Sequence, residues 1–230
     1  MVQCELVVVR HGETESNRSH IVQGHRDTPL SAVGERQAAR VAAHLAAEQF
    51  TKVLSSDLSR AHSTARAIVA AGPDQHQQIL KWELLRERGF GDLEGGPAAA
   101  MQEAVRGRSK AELLDWGPPG GETGLQFRAR VRTALSELGP LLAGQAGARV
   151  LLATHGGWIK ELNTILVGEF NCEMPGAEGA WGRICPNTGL SRYTLHLDSK
   201  GGLVKVVCIK LYDKEHLAGE EEHEPINYGV

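Results

Sequence analysis

Two His-Gly pairs follow short apolar runs in the sequence, and their residue types suit reaction with a phosphoryl group. Residues 7–9, all valine, run into Arg10-His11-Gly12, and residues 150–153 run into Thr154-His155-Gly156. A neutral imidazole is a nucleophile near pH 7, and glycine lets backbone N–H groups approach an anion closely. A lone histidine here reads as a polar residue at a strand end. The repeated context favours one shared site, provided that the two runs are neighbouring strands.

Further residues could hold an anion beside these histidines. Arg60 opens a predicted helix, where the helix dipole also favours a phosphate, and Arg10 directly precedes the first histidine. A guanidinium group can contact two phosphate oxygens at once. Asn17, Gln23 and Gly24 fall in the predicted loop after the first apolar run and can supply uncharged donors.

One carboxyl group has the position expected of a proton donor. Glu87 follows the third predicted strand and is flanked by Arg86 and Arg88. An isolated charge of this kind is more often part of a surface ion pair. Because Arg60 and Glu87 both follow predicted strands, we interpret them as parts of the same site. A carboxyl group placed there can act as a general acid and base.

Strands and helices alternate along the chain. We predict strands at residues 6–9, 52–55, 78–82, 149–153, 190–197 and 203–211. We predict helices at 31–50, 59–71, 98–116 and 158–167, and one that is opened by residues 120–123 and runs to about 142. Residues 199–202 would join the last two strands in a hairpin. This order is typical of a three-layer α/β/α fold with a mainly parallel sheet and helices on both faces. Ligands bind such sheets beyond the carboxyl ends of the strands.

The domain organisation is predicted to be simple. Residues 1–230 form one domain, in which residues 89–121, rich in Gly, Ala and Pro, make a cap-like excursion over one end of the sheet. Residues 219–230 include three successive glutamates and are predicted to form a flexible acidic tail.

Composition and charge argue against several function classes. A net charge of -3 and a pI near 6.4 give no electrostatic reason to expect nucleic-acid or anionic-membrane binding. No stretch approaches the roughly 20 apolar residues of a membrane span, and residues 1–5 lack the basic start of a signal peptide. The four cysteines are scattered without a CxxC pair and are predicted to be free thiols. We therefore expect a cytoplasmic protein.

Motif searches separate the remaining enzyme classes. The chain contains no HExxH and no clustered Asp/His set, so His11 and His155 are weak candidates for zinc ligands. It also contains no GxxxxGK[ST], the phosphate-binding loop of many nucleotide hydrolases. We expect no metal and no cofactor, and activity that is insensitive to a chelator would support this.

The segment Arg10-His11-Gly12-Glu13-Thr14, with Asn17 after it, resembles the signature of the histidine phosphatase, or phosphoglycerate-mutase-like, superfamily. The resemblance extends over nearly the whole chain and includes residues 55–61, 86–88, 119–123 and 154–156. It implies a phosphoglycerate-mutase-like fold and a phosphohistidine formed on His11. Glu87 would protonate the leaving alcohol and then deprotonate water. The phosphoryl oxygens would be held by Arg10, Arg60, His155, Asn17 and the Gly156 backbone.

Finer similarities point to one branch of this superfamily. Residues 50–58, 186–191 and 207–209 are similar to the TIGAR-type fructose-2,6-bisphosphatases, which also act on bisphosphoglycerate-like substrates. The short stretch between residues 142 and 149 departs from the vertebrate members. The ligand implied is a small phosphorylated metabolite. A phosphoglycerate mutase, a protein phosphatase or a phospho-binding module on the same fold remain alternatives, although the excursion's Arg106, Arg108 and Lys110 do not match the mutase pattern.

Two other features have more than one interpretation. Residues 186–191 are either a plain turn into a strand or a border of the site that places Asn187 or Thr188 near the substrate. Trp158 and Trp181 are interpreted as packing or rim residues rather than as a platform for a sugar.

Overall fold

A six-stranded mixed sheet forms the centre of the computed structural model, which describes residues 1–177 and 179–219. The strand order is β3-β2-β4-β1-β5-β6. The four strands from β3 to β1 are parallel, and β5 and β6 complete the sheet by antiparallel pairing. The strands are β1 Val2–Arg10, β2 Lys52–Ser55, β3 Ile79–Lys81, β4 Arg149–Thr154, β5 Leu190–Leu197 and β6 Leu203–Asp213.

The helices of the described residues cover this sheet and extend from its ends. The α-helices are α1 Glu15–Arg18, α2 Ala32–His44, α3 Ser59–Ala71, α4 Ala98–Val105, α5 Lys110–Asp115, α6 Gly124–Leu142 and α7 Gly156–Phe170. Short 3-10 helices lie at Glu83–Leu85, Gly91–Leu93, Ala180–Gly182 and Glu215–Leu217.

Apolar side chains of β1 enter the core on both faces of the sheet. Leu6 and Val8 belong to the cluster that includes residues of α6 and α7, whereas Val7 and Val9 belong to the cluster with α2 and α3. All four are 0% exposed. Because neighbouring residues of a strand point to opposite faces, this division confirms the predicted α/β/α layering.

Two predicted helices differ markedly from those observed, and α7 extends two residues before and three residues after the helix predicted at 158–167. The helix predicted at 98–116 is two helices, α4 and α5, because Gly107 adopts a positive φ of 77° and Ser109 starts a new helix as its N-cap. The helix predicted at 31–50 begins after the Ser31 cap as expected but ends at His44. The chain turns there, and Leu45 and Phe50 are both buried in the core.

The excursion at residues 89–121 is attached to the loop that follows β1. Phe90, Met101 and Val105 pack with Val22 in a small apolar cluster of their own. Val22 also exchanges backbone hydrogen bonds with this region, since its N–H donates to Gly96 and its carbonyl accepts from Gly95. The excursion therefore helps to fix the loop that carries Gln23 and Gly24.

The remaining predictions on composition have the following outcomes. The four cysteines, Cys4, Cys172, Cys185 and Cys208, are buried free thiols, as predicted. Within residues 1–177 and 179–219, no helix has the length and apolar character needed to cross a membrane. The predicted acidic tail lies almost entirely in residues 220–230, outside the described residues.

Candidate active site

The two predicted histidines meet at the carboxyl ends of adjacent parallel strands. Arg10 and Thr154, the last residues of β1 and β4, are paired in register. His11 and His155 follow them directly and therefore lie side by side. Their ring centroids are 5.1 Å apart in an edge-to-face arrangement. Both rings are buried, with exposed fractions of 3% and 0%. The predicted convergence is confirmed.

The hydrogen bonding of His11 fixes which ring nitrogen can react. Its Nδ1 lies 2.7 Å from the Gly12 carbonyl oxygen, which can only accept, so Nδ1 carries the proton. Burial lowers the pKa of His11 well below its usual value, and Arg60 and Arg10 lower this pKa further. The ring is therefore neutral at pH 7, with the lone pair on Nε2, and is ready to act as a nucleophile.

Three hydrogen bonds hold the backbone of His11 in place. Its N–H donates to the Thr154 carbonyl at 3.0 Å, and its own carbonyl accepts from Asn187 Nδ2 at 3.0 Å and from the Thr188 N–H at 3.3 Å. Thr188 adopts a positive φ of 54° and is fully buried. The segment at residues 186–191 therefore supports the His11 backbone, but neither Asn187 nor Thr188 is among the residues that line the cleft.

His155 is fully buried, with one ring nitrogen paired to Ser56 and the other without a hydrogen-bond partner among the described residues. Its Nε2 lies 2.9 Å from Ser56 Oγ, which also accepts from the Leu58 N–H. A hydroxyl that donates to Nε2 leaves the proton on Nδ1, and this buried atom has no hydrogen-bond partner among the described residues. Burial, followed by Arg60, lowers the pKa of His155 well below its usual value. An unsatisfied buried donor costs about 1–3 kcal/mol, which a phosphoryl oxygen would recover.

The two predicted arginines are buried and held by backbone carbonyls. Arg60 donates to the carbonyls of Arg26 and Gly24 at 2.9 and 2.8 Å, and its Nε has no hydrogen-bond partner in the described structure. Burial lowers its pKa to about 10, so the guanidinium stays charged at pH 7. Arg10 donates to the Cys185 carbonyl at 2.7 Å. Both side chains line the same cleft as His11.

Two side-chain amides are oriented with their donors available to the cleft. Asn17 Oδ1 accepts from the Thr14 N–H at 3.1 Å, and Gln23 Oε1 accepts from the hydroxyls of Thr14 and Thr28 at 3.0 and 2.5 Å. With the oxygens engaged, the amide nitrogens are left to donate. Asn17 lies in the short helix α1, not in a loop as predicted, because Thr14 caps that helix.

Glu87 follows the 3-10 helix at Glu83–Leu85 and lies against the first turn of α7. Its Oε2 accepts from the Gly157 N–H at 2.9 Å and its Oε1 from the Arg88 N–H at 3.0 Å. Arg130 holds the backbone here, since it donates to the Glu87 and Arg86 carbonyls at 2.9 and 2.7 Å. This role could not be predicted, because Arg130 lies within a long helix, where an arginine is usually a surface charge.

These residues surround one cleft of about 540 Å³. Of the predicted set, His155 is buried behind the cleft, and the wall includes Arg10, His11, Asn17, Gln23, Gly24, Arg60, Glu87 and Gly156. The excursion contributes Phe90 and Lys110, and Trp181 forms part of the rim as predicted. Trp158 is a packing residue that donates to the Leu84 carbonyl.

Sequence reasoning missed the wall formed by α6 and α7. Phe127 and Arg128 of α6 and Lys160, Glu161 and Thr164 of α7 all line the cleft. The spacing of four between positions 156, 160 and 164 could have placed Lys160 and Thr164 on the same helix face as Gly156. In the described part of the chain, no group of three or more His, Cys, Asp or Glu side chains could hold a metal ion.

Comparisons with known proteins show the family to which the chain belongs. The model of the histidine phosphatase superfamily (branch 1) matches residues 6–206. Fructose-2,6-bisphosphatase TIGAR B of Danio rerio is 32% identical, and the match covers 94% of this chain and 97% of that protein. Glucosyl-3-phosphoglycerate phosphatase of Mycolicibacterium vanbaalenii is 37% identical over 71% of this chain and 74% of its own length.

Solved structures show the same architecture. A mycobacterial glucosyl-3-phosphoglycerate phosphatase superposes with a TM-score of 0.74 at 27% identity, covering 92% of this chain and all of that one. A phosphoglycerate mutase from Bacillus anthracis has a TM-score of 0.75 at 24% identity, covering 94% and 96%, and shows the shared fold. The chain belongs to the histidine phosphatase superfamily, branch 1, and is a phosphatase.

Proposed function

We propose that this phosphatase hydrolyses small phosphorylated metabolites through a phosphohistidine on His11, with fructose-2,6-bisphosphate or a bisphosphoglycerate as its substrate and without a metal ion. The observation that carries the proposal is the state of His11. Its Nδ1 proton is held by the Gly12 carbonyl, which leaves the Nε2 lone pair beside two buried arginines and His155.

The first half of the reaction transfers the phosphoryl group to the enzyme. His11 Nε2 attacks phosphorus, the bond between phosphorus and the ester oxygen breaks, and Glu87 gives its proton to that oxygen so that an alcohol leaves. Arg10 and Arg60 neutralise charge on the phosphoryl oxygens, and the neutral ring of His155 donates a hydrogen bond to one of them. A loose phosphoryl-transfer transition state needs such positioning and charge stabilisation more than covalent assistance.

The second half returns the enzyme to its starting state. Glu87, now a carboxylate, accepts a proton from water as the water oxygen attacks phosphorus. The bond between phosphorus and His11 Nε2 breaks, and inorganic phosphate leaves. In this scheme two guanidinium groups and a second imidazole supply the positive charge and the hydrogen bonds that a metal ion supplies in other phosphatases.

The substrate proposal is supported by similarity along nearly the whole chain. The fructose-2,6-bisphosphatase of Danio rerio matches over 94% of this chain. The similarity to the glucosyl-3-phosphoglycerate phosphatase of Mycolicibacterium vanbaalenii supports glucosyl-3-phosphoglycerate as a second candidate substrate. This compound carries a carboxylate beside its phosphate. A phosphoglycerate mutase would be recognised by isomerisation that depends on bisphosphoglycerate and releases no net phosphate.

A phosphate-release panel tests the proposal. Fructose bisphosphates, phosphoglycerates, glucosyl-3-phosphoglycerate and a phosphotyrosine peptide are compared with and without EDTA. We expect release from a bisphosphate that EDTA leaves unchanged and that His11→Ala abolishes without loss of the folded structure. Loss of activity in EDTA, or release that persists in His11→Ala, would show the mechanism to be wrong. Preference for the phosphopeptide would favour a protein phosphatase.

Glu87→Gln tests the role of the carboxyl group. General acid catalysis typically contributes about 10²–10⁴-fold when the leaving group is a poor one. The variant should therefore slow an alkyl phosphate far more than p-nitrophenyl phosphate, whose leaving group needs no proton. An equal loss on both substrates would contradict the assignment of Glu87 as the acid.

A further inference from the structure

The segment that carries Glu87 is a loop that must be held by contacts from other elements. Residues 87–90 follow the 3-10 helix at Glu83–Leu85 and have irregular backbone. A general acid that is displaced by about 1 Å can lose about 10²-fold in rate. We propose that Glu122 is the positioning residue for Glu87 and that it acts through an ion pair with Arg130. The inference rests on the proposed function, because it concerns the acid of the same reaction.

Glu122 and Arg130 form an ion pair with two hydrogen bonds. Arg130 Nε donates to Glu122 Oε1 at 2.8 Å, and Arg130 Nη2 donates to Glu122 Oε2 at 2.6 Å. The exposed fractions of the two side chains are 20% for Glu122 and 15% for Arg130. Burial alone would raise the pKa of Glu122, but the hydrogen bonds and charge of Arg130 outweigh it and lower this pKa below its usual value. The pair is therefore ionised at pH 7.

This ion pair binds the backbone on both sides of Glu87. Arg130 donates to the carbonyls of residues 84, 86 and 87 at 3.2, 2.7 and 2.9 Å. Glu122 Oε2 accepts from the Gly89 N–H at 2.7 Å. Four backbone groups of residues 84–89, which we call the acid loop, are thus bonded to one ion pair. Because the carboxylate engages two guanidinium nitrogens, Glu122 also fixes the orientation in which Arg130 reaches the carbonyls.

The end of the excursion brings Glu122 to the acid loop. The Glu122 N–H donates to the Gly89 carbonyl at 2.9 Å, so both the backbone and the side chain of Glu122 bind Gly89. A Cβ added at Gly121 would lie only 2.8 Å from the Gly89 carbonyl oxygen, so this close approach requires glycine. The segment at residues 120–123 therefore delivers a carboxylate to the acid loop, in addition to opening α6.

The dependence of the rate on the leaving group tests the proposal. Glu122→Gln keeps the size of the side chain but replaces one of the two acceptor oxygens by an amide nitrogen. His25 Nε2 also donates to the Glu87 carbonyl at 2.9 Å, so the acid loop should shift and not detach. For an alkyl phosphate, kcat/KM should fall about 10- to 50-fold. For p-nitrophenyl phosphate, whose leaving group needs no proton, it should change by less than about threefold.

A double-mutant cycle tests whether Glu122 acts through Glu87. Once Glu87 is replaced by glutamine, Glu122→Gln should cause no further loss on the alkyl phosphate, because two residues that act through one group are not additive. Losses that multiply in the double variant would overturn the proposal. An equal loss on both substrates in Glu122→Gln, or no loss on either, would overturn it as well.

Glu48→Gln is the matched control. Glu48 also accepts from two nitrogens of one arginine, Arg192, at 3.0 and 2.5 Å, and its side chain is also 20% exposed. Neither residue lines the cleft, so Glu48→Gln should leave kcat/KM unchanged on both substrates. If Glu122→Gln does not fold, Arg130→Lys takes its place. This variant keeps the positive charge but loses the planar fork, and the same ratio of substrates decides the outcome.

The position of the carboxyl group separates this inference from the proposed function. If Glu87→Gln slows both substrates equally, or if the wild-type protein releases no phosphate, the proposed role of Glu87 fails. A crystal structure of Glu122→Gln then tests the positioning alone. Glu87 Oε2 lies 2.9 Å from the Gly157 nitrogen in the wild-type protein and should move beyond about 3.5 Å in the variant. An unchanged contact would overturn the inference.

Discussion

Replacing Gly157 by alanine should displace Glu87 without disturbing the rest of the site. A Cβ added at Gly157 would lie 2.4 Å from Glu87 Oε1, 3.0 Å from its Cδ and 3.2 Å from its Oε2. Ordinary contact begins near 3.4 Å. The carboxylate must therefore move by about 1 Å, and as the end of a side chain it yields more easily than helix backbone does.

The expected result depends on the leaving group. A misplacement of about 1 Å can cost about 10²-fold in rate, so kcat/KM for an alkyl phosphate should fall by about that factor. The value for p-nitrophenyl phosphate should change little, because its leaving group departs without a proton. Steady-state kcat/KM is the appropriate measurement, since it reports the steps up to alcohol release and excludes the later attack by water.

The same helix offers a matched control. Gly168 also lies in α7, and a Cβ there would meet nothing within 4 Å. Gly168→Ala should keep full activity on both substrates and should gain up to about 1 kcal/mol of stability. Helix propensity alone predicts the same gain in stability for Gly157→Ala. If Gly157→Ala slows both substrates equally, or neither, then Glu87 is not the acid held against this turn.

The other predictions concern how His11 is held and charged. Asn187→Ala removes a donor to the His11 carbonyl, so kcat should fall about two- to tenfold in steady-state assays with KM little changed; a change confined to KM would argue against a positioning role. Gly12→Ala would place a Cβ 2.5 Å from the Gly34 carbonyl oxygen. This backbone clash should lower the free energy of unfolding by about 1–3 kcal/mol, measured by urea denaturation. An unchanged midpoint would show that the loop can shift. Burial holds the pKa of His11 and His155 well below 6.5 in the folded protein. Just below that pH, these two rings therefore take up protons only in the unfolded chain. Stability from these two rings should be fully present above about pH 6.5 and fall by up to about 1.4 kcal/mol per ring for each pH unit below it; denaturation midpoints that stay level between about pH 7.5 and about pH 5.5 would contradict this.

Much of the layered fold could be predicted because its signals are local. The strand at Lys52–Ser55 and the helix at Ser59–Ala71 were predicted at their observed bounds, the helix because Gly72-Pro73 ends it. The order of the strands is not a local property. The sequence required β1 and β4 to be neighbours for His11 and His155 to meet, but only the structure shows β4 inserted between β1 and β2.

The phosphoryl pocket was more predictable than the rest of the cleft. Arg10, His11 and His155 follow apolar strands, so their position marks them for chemistry. Lys160 carries no such mark, because a lysine within a helix usually lies at a solvated face. Asn187 was left undecided for a similar reason, since its contact with the His11 carbonyl depends on the folded path of residues 186–189.

The in-register pairing of Arg10 with Thr154 makes catalysis a readout of long-range order in this chain. A partly folded species can contain its helices and even the β5–β6 hairpin while His11 and His155 are still far apart. Contacts between residues so distant in sequence are slow to form, because the intervening chain must first be ordered. During refolding, turnover therefore reports closure of the centre of the sheet, which helical content alone does not.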